Sequence, residues 1–295
     1  VAAAVSPRIV PWREGLEVAE ELERGGIVRL DDFAPLPDGD LAYLREVLPE
    51  LRSGRNISYH PRGDFLSGLG GGGALKRRAR DVLAAYQAAV SQRLAALAPP
   101  YAGRWRAGKT NYRPEQERGR ELSVRGSNER IHVDAFASGP TGGDRVLRFF
   151  TNVHPSEPRV WKSAGLLPDL LAEHGGALFE GGVALEPGLL DRVGSGTLNG
   201  LTELGVGPAQ LIGSSPYDRA MRRLHNHLKE DEGFQAAVGR QVQLSFAPGE
   251  SWMVFTDLVS HGVVSGQHAL VATFYVDRAA CVLPELSPWS LLEAL

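Results

Sequence analysis

The sequence reads as an α+β chain with a mainly β core and helical additions. Three observations carry that reading. After residue 103 the chain turns to short runs rich in β-branched and aromatic residues, each closed by turn residues. Before that point apolar residues recur at helical spacing. The strand-like runs do not alternate one for one with helices, which favours a sandwich or barrel over a parallel α/β sheet.

The elements follow in order. REGLEVAEELER, residues 13–24, reads as a helix stopped by Gly25-Gly26, and GIVRLDDF as a short strand and turn. DGDLAYLREVLPEL reads as a second helix with Asp40 as its cap. Residues 54–73 are glycine-rich and read as an ordered loop with a flexible tip. Residues 74–98 form the clearest helix: Leu83, Tyr86, Val90, Leu94 and Leu97 share a face, and Pro99-Pro100 ends it. RWRAGKTNYRP, NERIHVDAFAS, DRVLRFFTNVHP, GRQVQLSFAPGESWMVFTDL and HALVATFYVDR read as strands. Helices are expected near 165–175 and 217–239. The expected organisation is one domain over 1–295. It has a mainly helical scaffold at 1–103, β segments at 104–163 and 241–280, and a partly helical insertion at 164–240.

Composition sets outer limits. Thirty-two basic and thirty-five acidic residues give a net charge of −3, which offers no global argument for nucleic-acid binding. The single cysteine, Cys281, excludes an internal disulfide. The opening VAAAVSPRIVPWREG is too short and interrupted to span a membrane.

The chemistry starts at NERIHVDAF, residues 128–136. On an extended chain His132 and Asp134 share one face, with Ile131 and Val133 on the other. Two ligands make a weak metal site, so a third is needed. His261, just after the apolar run SWMVF, leads; His154, His225, His227 and His268 compete. Two imidazoles and one carboxylate suit Fe(II) with open positions, but zinc accepts the same donors.

IHVDAF, GDRVLRFFTNVHP, PRVWKSAG and FTDLVSHGVVSGQ resemble the Kdo hydroxylase family. RNISYHPRG, NYRPEQERGR and LHNHLKEDEGFQ agree with it, so the likeness runs over roughly residues 25–280. The resemblance implies a double-stranded β-helix core of the jelly-roll, cupin-like kind. It implies Fe(II) on His132, Asp134 and His261 as the catalytic centre, with 2-oxoglutarate and O2 as cosubstrates. It also implies hydroxylation at carbon 3 of the 3-deoxy-D-manno-oct-2-ulosonic acid (Kdo) sugar of Kdo2-lipid A, giving Ko, succinate and CO2. Such a substrate implies a cytoplasmic protein that approaches the inner membrane peripherally.

The distal carboxylate of 2-oxoglutarate needs a cation. Many related oxygenases place an arginine about ten residues after the distal histidine, but here position 271 is Val and HALVATFYV offers no basic residue. Arg148 is the substitute: in VLRFFTNV it shares a face with Phe150 and Asn152, and an inward arginine on an apolar strand needs an anionic partner. Asn152 is its neighbour, and Arg159 is the second cation considered.

Residues 104–130 hold eight basic and four acidic residues, a local excess that suits a sugar carboxylate and lipid phosphates. Arg113 and Arg130 are the first substrate candidates, with Lys162 and His225 next. The basic cluster in GLGGGGALKRRAR suits anionic headgroups. Two rival readings stand beside the oxygenase: a cupin-like metal-dependent sugar hydrolase or isomerase, which forms no succinate, and a non-catalytic anionic-glycolipid-binding protein, which survives loss of His132.

Overall fold

The structure is a computed structural model that describes residues 6–135, 140–185 and 215–295. The centre of the expected 164–240 insertion and the end of the NERIHVDAF stretch lie outside the described residues.

The main sheet has eight strands: β1 (Arg8–Pro11), β2 (Gly26–Leu30), β3 (Ile57–His60), β4 (Phe65–Ser67), β5 (Trp105–Arg113), β6 (Arg145–Asn152), β9 (Ser251–Phe255) and β11 (Ala269–Val276). Their spatial order is β1-β2-β9-β6-β11-β5-β3-β4. A smaller sheet joins β10 (Gly262–Ser265), β7 (Arg159–Ser163) and β8 (Val242–Phe246), in that order. All pairings are antiparallel except β1 with β2.

Period-two alternation divides the core. Leu147, Phe149, Met253, Phe255, Leu270, Ala272 and Phe274 point to the side shared with the helices. Phe150, Trp252, Val254 and Val271 point the other way, onto Trp161, Leu244, Phe246 and Val263 of the small sheet. Phe246 and Trp252 stack with centroids 3.8 Å apart, and Trp161 meets Phe150 edge-on at 4.8 Å. Arg148 shares the Phe150 face and so points between the sheets.

Helices α1 (Val18–Glu23), α2 (Asp38–Ala42) and α3 (Gly73–Leu97) precede β5. Helix α3 buries Val82, Leu83, Tyr86, Val90 and Leu94, as its spacing predicts, and Tyr86 Oη lies 3.1 Å from Thr151 Oγ1 of β6. Helices α4 (Leu167–Leu178), α5 (Pro216–Glu230), α6 (Glu232–Ala236) and α7 (Pro288–Glu293) follow β7, apart from α7 at the C-terminus. The Ser215 side chain caps α5 by accepting from the Asp218 N–H.

The structure departs from the sequence reading in four places. Residues 1–103 do more than form a helical scaffold, because β1–β4 build both edges of the main sheet. The glycine-rich 54–73 segment contains the β3–β4 hairpin. Asp40 lies inside α2, whose N-cap is Pro37, so it is not the cap. The expected 217–239 helix breaks at Asp231, whose carboxylate accepts from the Phe234 N–H and starts α6 instead.

The turn between β9 and β10 is anchored by a buried ion pair. Arg145 Nε and Nη2 donate to Asp257 at 3.0 and 3.2 Å, and the Val146 N–H donates to the same carboxylate at 2.9 Å. Both side chains are almost fully buried. Removing one partner strands the other charge in the core. In urea unfolding, Asp257→Ala is expected to be less stable by about 3–5 kcal/mol. A loss below about 1 kcal/mol, the worth of a surface pair, would show that this pair does not hold the turn.

Candidate metal centre and cationic cavity

His132 and Asp134 lie on a short extended segment that forms no regular strand. One isolated antiparallel bridge holds it: the His132 N–H donates to His261 O at 3.1 Å, and the His261 N–H donates to His132 O at 2.8 Å. The pairing continues on both sides, through Asp134 N–H to Thr256 O at 2.7 Å and Val263 N–H to Asn128 O at 2.8 Å. The expected alternation holds: Ile131 and Val133 enter the core, while His132 and Asp134 face the gap between the sheets. One ligating atom each from His132, Asp134 and His261 falls within 4.8 Å of the others.

The hydrogen bonds choose the tautomers. His132 Nδ1 lies 2.7 Å from Arg130 O and His261 Nδ1 3.0 Å from Val259 O. Carbonyls only accept, so each Nδ1 carries the proton and each Nε2 lone pair is left for a metal. Burial holds the His132 imidazole well below the usual histidine range, with His261 and His225 adding repulsion, and burial also lowers His261. Burial raises the Asp134 carboxyl, but Arg148, His261 and Thr256 together bring it below the ordinary value. Two neutral imidazoles and one carboxylate are therefore poised together, a donor set that fits a divalent transition metal. Arg148 Nε, 2.9 Å from Asp134 Oδ2, steadies the carboxylate, and the Trp161 ring stacks on His261 at 5.3 Å.

The three ligands sit in the wall of a cavity of about 330 Å³. Arg55, Arg113, Arg125, Arg148 and Lys229 line it as cations, against the single carboxylate Asp134; Phe150, Trp161 and Val263 supply apolar surface. Behind the wall, the buried Glu117 lies 3.5–3.8 Å from Arg159, Arg120, Arg113 and Arg55. Glu115 also pairs with Arg120, which leaves Glu117 as the carboxylate between the other three guanidiniums. Burial, outweighing Glu117, pushes Arg113 down to about 9, and its Nε has no hydrogen-bond partner. Burial likewise pushes Lys229 down to about 8, partly offset by Asp134. Arg125 is paired with Glu230 and Arg148 with Asp134, but Arg55, Arg113 and Lys229 keep the cavity cationic, and such a cavity selects anions.

The structure brings together His132, Asp134, His261, Arg148, Arg113 and His225 around one cavity. His225 Nδ1 lies 2.7 Å from Val133 O, and its ring meets His132 at 4.9 Å. Four expected residues are not in the cavity wall. Asn152 donates to Glu157 O and Phe246 O. Arg159 is turned to Glu117 and Gly266 O. Arg130 binds Lys229 O and Glu232. Lys162 is half-buried on β7, opposite Gly262 of β10. The competing histidines go elsewhere: His154 packs on His268, and His227 on His174. Arg55 and Lys229 were missed as site residues. Arg55 had only its place in RNISYH to mark it, and Lys229 only its position four residues after His225 on a helix.

At Gly262, β10 leaves no room for a side chain against the His132 segment. A Cβ there would meet Glu129 O at 2.7 Å and the Arg130–Ile131 peptide at 3.2 Å. Gly262→Ala is expected to push the His132 segment off His261 and weaken Fe(II) or Co(II) binding about tenfold, in line with typical overpacking costs. Unchanged affinity in a metal titration would show that the bridge does not set the ligand geometry.

A family model described as 3-deoxy-D-manno-oct-2-ulosonic acid (Kdo) hydroxylase matches residues 11–295. Comparison with curated protein sequences gave no significant match. Among solved structures, the chain is 31% identical to the apo form of the Kdo hydroxylase KdoO, a non-heme Fe(II) alphaketoglutarate-dependent dioxygenase. That match covers 97% of this chain and 95% of the other, with a TM-score of 0.80. The same identity, coverage and TM-score hold for KdoO in complex with alphaketoglutarate and Fe(III). The cobalt(II) complex is 32% identical over 97% and 95% of the chains, also at a TM-score of 0.80. With the family model spanning nearly the whole chain and the metal-type triad assembled within it, this chain belongs to the Kdo hydroxylase family.

Proposed function

We propose that this chain is an Fe(II)- and 2-oxoglutarate-dependent oxygenase that hydroxylates carbon 3 of Kdo in Kdo2-lipid A to give Ko, with succinate and CO2 as coproducts. The observation that carries it is the convergence of two Nε2 lone pairs and one ionised carboxylate in a cavity walled by five cations. A 2-oxo diacid and an acidic sugar supply the negative charge which that wall lacks. The two packed sheets and their bridge are consistent with a double-stranded β-helix, the fold this reading calls for.

His132, Asp134 and His261 would hold Fe(II). When bound, the iron and its cosubstrates 2-oxoglutarate and O2 supply the oxidising chemistry. The chain's own residues supply position. Arg148 orients Asp134. The distal carboxylate of 2-oxoglutarate is assigned to Arg148 together with Arg113, whose charge Glu117 leaves under-compensated. Arg55 and Lys229, with neutral His225, remain for the carboxylate and phosphates of the glycolipid, and Arg125 would join them by exchanging Glu230 for the ligand. Phe150, Trp161 and Val263 keep water from the reacting end. C–H hydroxylation asks no side chain to act as acid or base.

The glycolipid implies a peripheral approach to a membrane from the cytoplasmic side. No described helix is long and apolar enough to cross one. Near the start of α3, Leu75 is exposed in sequence beside Lys76 and Arg77, a mixed surface suited to anionic headgroups.

The deciding experiment is anaerobic loading with Fe(II) and 2-oxoglutarate, then air exposure with Kdo2-lipid A. One added oxygen on Kdo, matched by succinate, is expected. Folded, iron-loaded protein that yields neither would sink the oxygenase reading in favour of a hydrolase or a binding protein. Arg148→Lys and Arg113→Lys keep the charge but lose the planar fork, so the 2-oxoglutarate KM is expected to rise about ten- to a hundredfold in each. An unchanged requirement in both would remove them from the cosubstrate site. Lys229 carries its charge below its pKa of about 8 and loses it above. Glycolipid KM should therefore rise between pH 7 and 9, and Lys229→Arg should abolish that rise. A wild-type KM that is flat across this range would refute a charge role for Lys229.

A further inference from the structure

A second group of ligating side chains lies on the opposite face of α5 from the cavity. His225 and Lys229, four residues apart, share the face that lines the cavity. His227 and Asp231, also four apart, are rotated about 200° from them. Across from this second face stands His174 of α4. His174 Nδ1 is 3.2 Å from His227 Nε2, and His227 Nε2 is 3.9 Å from Asp231 Oδ2. The three ligating atoms fall within 4.8 Å of one another. Donors at about 2.0–2.1 Å from a tetrahedral zinc are separated by roughly 3.3 Å, so the spacing needs only small side-chain rotations.

The surroundings match those of a metal site. Asp231 is oriented by its other oxygen, Oδ1, which accepts from the Phe234 N–H at 2.9 Å and leaves Oδ2 toward His227. His174 is buried, its ring packs on Phe234 at 5.3 Å, and its Nε2 makes no hydrogen bond. That Nε2 faces Glu173 Oε1 at 3.9 Å. Glu173 is itself gripped by both Nη atoms of Arg240 at 2.7 Å. At 3.9 Å, Glu173 places negative charge beside His174 without hydrogen-bonding its ring. His227 is about one-third exposed, which leaves a route for an ion to enter.

We propose that His174, His227 and Asp231 bind a second divalent metal ion of the zinc class, with water as the fourth ligand, separate from the His132–Asp134–His261 centre. The ion joins α4 to the α5–α6 junction. It thereby fixes the rotation of α5, the helix that presents His225 and Lys229 to the cavity. The proposal does not depend on which metal the first centre holds or on the reaction it runs.

The test uses the full chain, stripped with a chelator, equilibrated with Zn(II), dialysed and assayed for metal. Wild type is expected to retain about two equivalents, and His132→Ala/Asp134→Ala about one. Adding His227→Gln to that double variant should remove the remaining ion, as should Asp231→Asn, which keeps an oxygen to cap α6. Glu173→Gln, which removes a nearby negative charge, should weaken the second ion about severalfold. Zn(II) should raise the Tm of the double variant but not that of its His227→Gln derivative. A folded double variant that retains no Zn(II), or that retains it equally with His227→Gln, overturns the proposal and leaves the cluster a histidine–histidine hydrogen bond.

Discussion

Two backbone hydrogen bonds between His132 and His261 hold together segments that are far apart in the chain, and the metal-type centre is built on them. Each bond also sets a neighbour. Asp134 is aligned through Thr256 O, and β10, paired to β7, is also tied to the His132 segment through Val263 N–H to Asn128 O. The absence of a side chain at Gly262 lets the two segments approach. Behind the bridge, Asp257 ties the turn to β6 through Arg145, and Trp161 braces the His261 ring from the small sheet. Three ligands thus owe their positions to two layers packed on each other, with the ligating segment caught between them.

Charge is the second constraint. The cavity concentrates cations where burial makes cations costly. Glu117 compensates part of this from behind, and Asp134 part from within. What remains uncompensated is the binding energy available to anions, and it explains why burial lowers Arg113 and Lys229 while the histidines stay neutral. The same burial therefore prepares the imidazoles for a metal and the basic side chains for acidic ligands. Helix α5 links the cavity to the His174–His227–Asp231 cluster, since its two faces carry the two sets.

Much of the fold was legible. Apolar periodicity located α3, β5, β6, β9 and β11 because each buries one defined face. The N-terminal strands were under-read: β1 and β4 are short edge strands, and glycine in 54–73 disguised a hairpin as a loop. In the site, His132, Asp134 and His261 were legible from spacing, together with a family resemblance carried by long blocks. Arg148 lines the cavity as its inward face requires, but it pairs there with Asp134, where the sequence reading had expected the 2-oxoglutarate carboxylate as its partner. Asn152 shares its face on β6, yet it lies past the cavity and bonds to main-chain carbonyls instead. Alternation names a face of a strand, not how far along that face a cavity extends.

Residue order alone was enough for the candidate donors: which side chains could ligate, which lie on a common face, and that the N-terminal half of the β region is basic. Those properties are local, set by residue type and by the repeat of the extended chain and the helix. Long-range closure was needed for the rest. That Arg113 lines the cavity while Arg159 turns to Glu117 behind it depends on contacts between β5, β7 and the loop after β5. Arg55 and Lys229 enter the site from opposite ends of the sequence. The pairing of His174 with His227 depends on how two helices pack, and nothing in the spacing of either helix specifies the other.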